Sequence, residues 1–166
     1  CSMLTARICP PEGGNTEFLC MRAAWDALPQ AIQATVEPLV AEHALAYSRD
    51  RVQPGILSAK ALAELPPVKQ RLYRDNPING RRALYVGAHA GHIVGWPKAT
   101  GKAFLFELME RAQRPEFILS HEWREGDSIV WDNRAVLHRA TAYDTVKHKR
   151  LMQRTTIGGD APTVPQ

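Results

Sequence analysis

The stretch between Asp127 and Thr156 constrains this fold more than any other part of the chain. Short β-type runs lie at residues 129–131, 135–140 and 150–157, separated by Asp132-Asn133 and by the polar segment 143–149. Runs of this length between turn-forming residues read as strands. Side chains alternate across a strand. Arg150, Met152 and Arg154 therefore share one face, and Val136, His138 and Ala140 share one face of their own strand. If the arginine face is the inner one, two guanidinium groups sit in a sheet interior, which is costly unless anions pair with them. A histidine one strand away then suggests a pocket for a metal and carboxylates. The competing reading of the same residues is a structural histidine and a solvated arginine face.

Upstream, residues 2–9 read as a strand that Pro10-Pro11-Glu12-Gly13-Gly14 breaks into a turn. Asn15 to Phe18 is a short extended piece. Residues 21–28 are helical by the spacing of Ala23, Ala24, Ala27 and Leu28. Pro29 ends that helix or opens the next, through Ile32, Val36 and Leu39. Residues 43–48 are expected as a strand. Residues 50–67 carry Pro54-Gly55, a helical piece at 58–65 and Pro66-Pro67, and read as an insertion or lid. Residues 68–74 and 82–86 form an expected hairpin about Asn79-Gly80. The glycine- and histidine-rich residues 87–95 read as loop. Residues 100–114 form an amphipathic helix with Phe104, Leu105, Leu108 and Met109 on its apolar face. Residues 117–123 are a strand and Glu125-Gly126-Asp127 a turn; residues 158–166 form a tail.

At 166 residues the chain has the length of one domain with a real core. A formal net charge of +4 suits attraction of small anions but marks no nucleic-acid module, since no basic stripe is interleaved with aromatics. Cys1, Cys9 and Cys20 are odd in number and lack metal-ligand spacing, so they read as reduced thiols of a cytoplasmic protein. No apolar run approaches bilayer length. A membrane or nucleic-acid partner is therefore not expected; a small acidic molecule is.

Trp131-Asp132-Asn133, His138, Arg150 and Arg154 resemble the C-terminal half of the taurine / 2,4-dichlorophenoxyacetate dioxygenase family. Gly13-Gly14-Asn15-Thr16-Glu17-Phe18, followed by Met21 to Pro29, resembles that family's Gly-Gly-(Asp/Asn)-Thr segment and helix. The resemblance runs from about Ser2 to Asp160 and is strongest toward the herbicide-degrading branch, through residues 13–29 and 87–92. It implies a mainly β fold with helical insertions, a double-stranded β-helix or jelly roll, in which Fe(II), 2-oxoglutarate and O2 hydroxylate a small organic acid. Residue by residue, it implies that His138 is the distal iron ligand and that Arg150 and Thr16 hold the far carboxylate of 2-oxoglutarate. It further places Trp131 in the pocket near the metal and Arg154 on the acidic group of the substrate. Arginine suits these roles because its planar fork grips a carboxylate with two parallel bonds. The loop between His138 and Arg150 is one residue longer than the herbicide branch implies, so strict spacing would favour Lys149. The four-residue step to Arg154 favours Arg150.

The family's His-x-Asp iron pair has no counterpart in this sequence. We therefore expect the chain to be the C-terminal portion of a longer domain, lacking the first part of its β-helix. The expected activity of the parent is hydroxylation of an aryloxyalkanoate with ether cleavage; a taurine-type alkylsulfonate is the alternative acid. A catalytically incomplete fragment or small-anion-binding module is the alternative of another class, and homo-oligomerisation is open. His89 and His92 carry no assigned role, because His-x-x-His in a loop is a weak zinc signal.

Overall fold

The computed structural model describes residues 1–158 and 163–164. In chain order its elements are β1 (Ser2–Ile8), β2 (Thr16–Cys20), α1 (Met21–Asp26), α2 (Gln30–Val36), β3 (Val40–His43), α3 (Leu45–Val52), α4 (Ala59–Glu64) and β4 (Val68–Arg71). Then follow β5 (Tyr73–Asp75), β6 (Arg82–Leu84), β7 (Ala90–Ile93), α5 (Lys98–Ala112), β8 (Ile118–His121), β9 (Ser128–Trp131), β10 (Val136–Ala140) and β11 (Leu151–Thr156). The chain is mainly β with some helices.

Two three-stranded antiparallel sheets, ordered β11-β1-β9 and β10-β2-β8, position the site. They face one another: the Phe18 ring of β2 lies 5.3 Å from Trp131 of β9, and Trp131 lies 4.7 Å from His138 of β10. Register explains which residues look inward. Phe18 pairs with His138 and Leu119, and Thr16 pairs with Ala140 and His121. Across the gap Leu4 pairs with Arg154 and Ile129. Directly paired residues share a face, so Thr16, Phe18 and His138 face the sheet that carries Trp131 and Arg154.

The opposite face of β2 builds the main core. Leu19 and its neighbours Leu137 and Ile118 pack with Trp25 of α1, Leu84 of β6 and Leu105 and Leu108 of α5. Phe18 and Leu19 are adjacent and both buried, so β2 is covered on both sides and loses the alternation of a half-exposed strand. A third sheet, β4-β3-β7, and the β5-β6 pair complete the far side of this core.

Three expectations differ from the structure. The strand expected at residues 43–48 ends at His43, and α3 takes over from Leu45; Leu45, Ala46, Arg49 and Arg51 are good helix formers, and the β-branched Val52 comes only at its end. The loop expected at residues 87–95 contains β7, with Ala90 and Ile93 buried against β3. Glycine at position 91 is no loop signal here: the Tyr47 ring lies 2.2 Å from where a Cβ would stand. The expected hairpin of residues 68–74 and 82–86 is split at the buried Leu72, so β4 pairs with β3 and only β5 pairs with β6.

The proposed lid holds α3, from its last residues, and α4, neither with a buried side chain; Ser58 caps α4 by accepting from the Ala61 N–H at 3.2 Å. The expected tail at residues 158–166 lies largely outside the described residues. Among the described residues, no helix is long and apolar enough to cross a membrane, and Cys1, Cys9 and Cys20 are free thiols.

Candidate active site

Gly13 and Gly14 open the site. Both have positive φ, +72° and +66°, a region that L side chains enter at a cost. This turn aims the Gly14 carbonyl at Arg150, whose Nε donates to it at 2.9 Å. A Cβ on Gly14 would stand 3.1 Å from Arg150 Cδ and 3.0 Å from Pro10 Cγ. The same guanidinium donates from Nη2 to Thr16 Oγ1 at 3.4 Å. Residues 136 positions apart in sequence thus meet on one carbonyl, and the next strand residue but one adds a hydroxyl. Lys149, which strict spacing favoured, is exposed, whereas Arg150 is half-buried.

Thr16 is 2 % exposed, and its hydroxyl also accepts from the Trp123 indole Nε1–H at 2.9 Å. Trp123 was not singled out from the sequence. A tryptophan closing a strand before a turn reads as core, and its bond to a residue 107 positions away leaves no local pattern. The His121 ring meets Trp123 edge-on at 4.6 Å, and His121 Nε2 lies 3.1 Å from Asp127 Oδ2. Asp127 also accepts from the Arg124 N–H at 2.9 Å. That backbone bond, with His121 adding to it, holds the Asp127 carboxyl below the usual carboxylate range.

His138 and Trp131 lie further along the same gap. Burial, and then the positive charge of Arg154, push the His138 pKa down. The imidazole is therefore neutral near pH 7, and one ring nitrogen keeps a lone pair, as a metal ligand requires. Trp131 is 6 % exposed, and its Nε1 has no hydrogen-bond partner among the described residues. Arg154 is exposed rather than enclosed in a sheet interior, but its field reaches His138. Among the described residues, no three His, Cys, Asp or Glu side chains gather as a metal site. His138 alone of the expected iron ligands is present, so the donor set fits one metal ligand and not a whole centre.

A cavity of about 510 Å³ lies on the other side of β2, lined by Leu19, Leu84, Val86, Met109 and Leu137, with His43 and His89 at its wall. It touches His138 but includes neither Arg150 nor Thr16. Burial, and then His89, lower the His43 pKa to about 4. His92 does not share that cavity wall; Tyr47 packs edge-on to it at 6.4 Å.

These motifs have counterparts in known proteins. The model of the Taurine catabolism dioxygenase TauD, TfdA family matches residues 1–156, and the chain belongs to that family. It is 43 % identical over 157 residues to an alpha-ketoglutarate-dependent 2,4-dichlorophenoxyacetate dioxygenase of Burkholderia sp. (strain RASC), covering 95 % of this chain and 53 % of that protein. It is 37 % identical over 165 residues to an (S)-phenoxypropionate/alpha-ketoglutarate-dioxygenase of Sphingobium herbicidovorans, covering 96 % of this chain and 57 % of that one. The crystal structure of AAD-2 in complex with Mn(II) and N-oxalylglycine superposes with a TM-score of 0.93 at 42 % identity, covering 99 % of this chain and 65 % of AAD-2. A taurine dioxygenase from Burkholderia xenovorans gives a TM-score of 0.81 at 31 % identity, over 97 % of this chain and 52 % of that structure. The chain spans about half the length of the curated relatives it matches.

Proposed function

We propose that this chain is the C-terminal portion of an Fe(II)/2-oxoglutarate-dependent dioxygenase that hydroxylates a small organic acid, an aryloxyalkanoate in the first instance. The observation that carries this reading is the convergence of Arg150, Gly14 and Thr16 beside His138 and Trp131. The two facing sheets are read as part of a double-stranded β-helix. Arg150 holds the far carboxylate of 2-oxoglutarate, with Nε fixed on the Gly14 carbonyl so that the fork presents a set orientation. Thr16 donates its hydroxyl to the same carboxylate. Trp131 walls the pocket, and its indole N–H, which has no partner among the described residues, is available to a ligand oxygen. His138 supplies one neutral nitrogen to the metal, and the rest of the iron centre lies beyond the residues seen here.

When bound, iron and 2-oxoglutarate supply the oxidation: one atom of O2 ends in succinate as CO2 leaves, and the other becomes a hydroxyl group on the acid. No step at the metal follows from this chain's residues alone. Arg154 holds the acidic group of the substrate, and its charge adds to burial in lowering the His138 pKa. Hydroxylation beside an aryl ether oxygen gives a hemiacetal, which collapses to a phenol and the matching oxo acid. The similarity to dioxygenases of aryloxy acids supports that substrate class over a taurine-type alkylsulfonate.

A second reading has one observation in its favour, the lack of a three-ligand cluster among the described residues: an anion-binding module without oxidative chemistry. Arg150→Ala and Thr16→Val separate the two in the full protein. Loss of a charged hydrogen bond inside a pocket costs about 1.5–3 kcal/mol, roughly tenfold to a hundredfold in affinity. Both variants should raise the KM for 2-oxoglutarate by that order and leave the KM for the acid substrate unchanged. A full protein that forms no succinate from 2-oxoglutarate and O2 would favour the binding module.

A further inference from the structure

Resting on that reading of the Arg150–Thr16 site, we infer that Trp123 is a positioning residue, which commits the Thr16 hydroxyl to donate its proton to the co-substrate carboxylate. A threonine hydroxyl has one proton and two lone pairs. Here Trp123 Nε1–H approaches Thr16 Oγ1 at 2.9 Å and Arg150 Nη2–H approaches it at 3.4 Å. Indole and guanidinium are donors only. Both lone pairs are therefore engaged, and the hydroxyl proton is left over. It finds no acceptor among the described residues, although Thr16 is 2 % exposed. A buried proton left in this way selects a ligand oxygen that only accepts, which is the character of a carboxylate.

Trp123 is itself held. It is 7 % exposed, with the His121 ring edge-on at 4.6 Å. His121 is tied to Asp127 at 3.1 Å, and Asp127 closes its own turn on the Arg124 N–H. The chain of contacts from that turn to the hydroxyl fixes the direction of the proton before a ligand arrives. Without the indole N–H, one lone pair is released and the hydroxyl can rotate, so the donor is no longer preset. Trp123 touches neither co-substrate nor metal in this scheme; it acts through Thr16.

The test is a double-mutant cycle in the full protein, read by calorimetric titration of the Mn(II)-loaded protein with N-oxalylglycine and, separately, with oxalate. Oxalate lacks the distal carboxylate. Trp123→Phe should weaken N-oxalylglycine about fivefold to tenfold and change oxalate less than twofold. In a Thr16→Val background the same substitution should cost less than a further twofold, because the hydroxyl it orients is gone. Unchanged affinity in Trp123→Phe, equal weakening of both ligands, or additivity with Thr16→Val would each overturn the assignment. If Thr16→Val and Arg150→Ala also leave N-oxalylglycine affinity unchanged, the underlying reading of the site fails with it. If they weaken it and Trp123→Phe does not, only the role of Trp123 fails. Should Trp123→Phe not fold, the indole N–H of the metal-free protein decides: it should resist hydrogen exchange and lose protection in Thr16→Val. Equal exchange in the two proteins overturns the inference.

Discussion

His43 shows how one residue records the strain of burial. Its Nε2 has no hydrogen-bond partner among the described residues, and its ring stacks on Tyr85 at 5.5 Å. Burial, with His89 adding to it, lowers its pKa to about 4 from the ordinary value of 6.5. The unfolded chain therefore binds a proton between about pH 6.5 and 4 where the folded chain does not. Stability should fall as pH falls through that window, with no further loss from His43 below its folded pKa. The full effect is on the order of 3 kcal/mol. His43→Phe keeps the ring and removes the proton, so the urea midpoint should decline less between pH 7 and 4.5 than in the parent chain. The burial of His89 and His138 acts in the same direction, which leaves part of the slope in place. An unaltered slope in the variant would show that His43 is not the source. At this scale the sequence was readable where a motif named the residue. Thr16 and Trp131 could be singled out because Gly-Gly-Asn-Thr and Trp-Asp-Asn carry them, and His138 and Arg150 because of their spacing after Trp-Asp-Asn and the four-residue step to Arg154. Trp123 and His43 could not, since what marks them is a contact distant in sequence or a degree of burial.

Among the elements, α3, like α4, buries no side chain. What fixes it is Tyr47. The ring fills the space above Gly91 of β7, and its hydroxyl donates to Glu42 of β3. Burial, followed by that bond to Glu42, raises the Tyr47 pKa to about 12, so the phenol remains a donor throughout the neutral range. An alanine at position 91 would put a Cβ 2.2 Å from the Tyr47 ring edge and force the ring out. Gly91→Ala should release α3 while the sheets stay intact. Overpacking of this kind costs about 1–3 kcal/mol. Amide exchange in residues 45–52 should rise by an order of magnitude or more, while the amides of β1 and β2 hold their protection. Equal exchange in both segments would show that the helix does not depend on this contact. The same contact explains the misreading of residues 87–95 as loop. Glycine in a strand ordinarily signals a bulge or a close approach, and only the fold reveals which. The strands of the Asp127–Thr156 stretch were legible because their alternation and turns are local. β7 and the split hairpin were not, because their pairing with β3 is long-range.

For the whole molecule, the arrangement of edges is the controlling feature. Each of the two facing sheets has three strands, so β11, β9, β10 and β8 all lie at an edge in the described residues. Leu119 on β8 faces the inter-sheet gap, where its partner Phe18 is buried, yet it is 66 % exposed. Val130 of β9, on the outer face beside Met3, is 62 % exposed. Open edges with exposed apolar residues template pairing with other chains. The chain spans about half the length of the curated relatives it matches. The 166-residue chain by itself should therefore associate, reversibly or into aggregates, at micromolar to millimolar concentration. Sedimentation velocity across a dilution series would reveal this as a weight-average mass that rises with concentration. A lysine on an edge strand blocks edge-to-edge pairing by charge. Leu119→Lys should thus lower the association; the residue pairs with Phe18, two positions along β2 from Thr16. A chain that sediments as a monomer over the whole range, with the variant no different, would mean that the edges are already protected by twist or by neighbouring loops. The oligomeric state, unlike the residues of the cradle, is written in no motif: it depends on which edges remain open once every local pairing has been made.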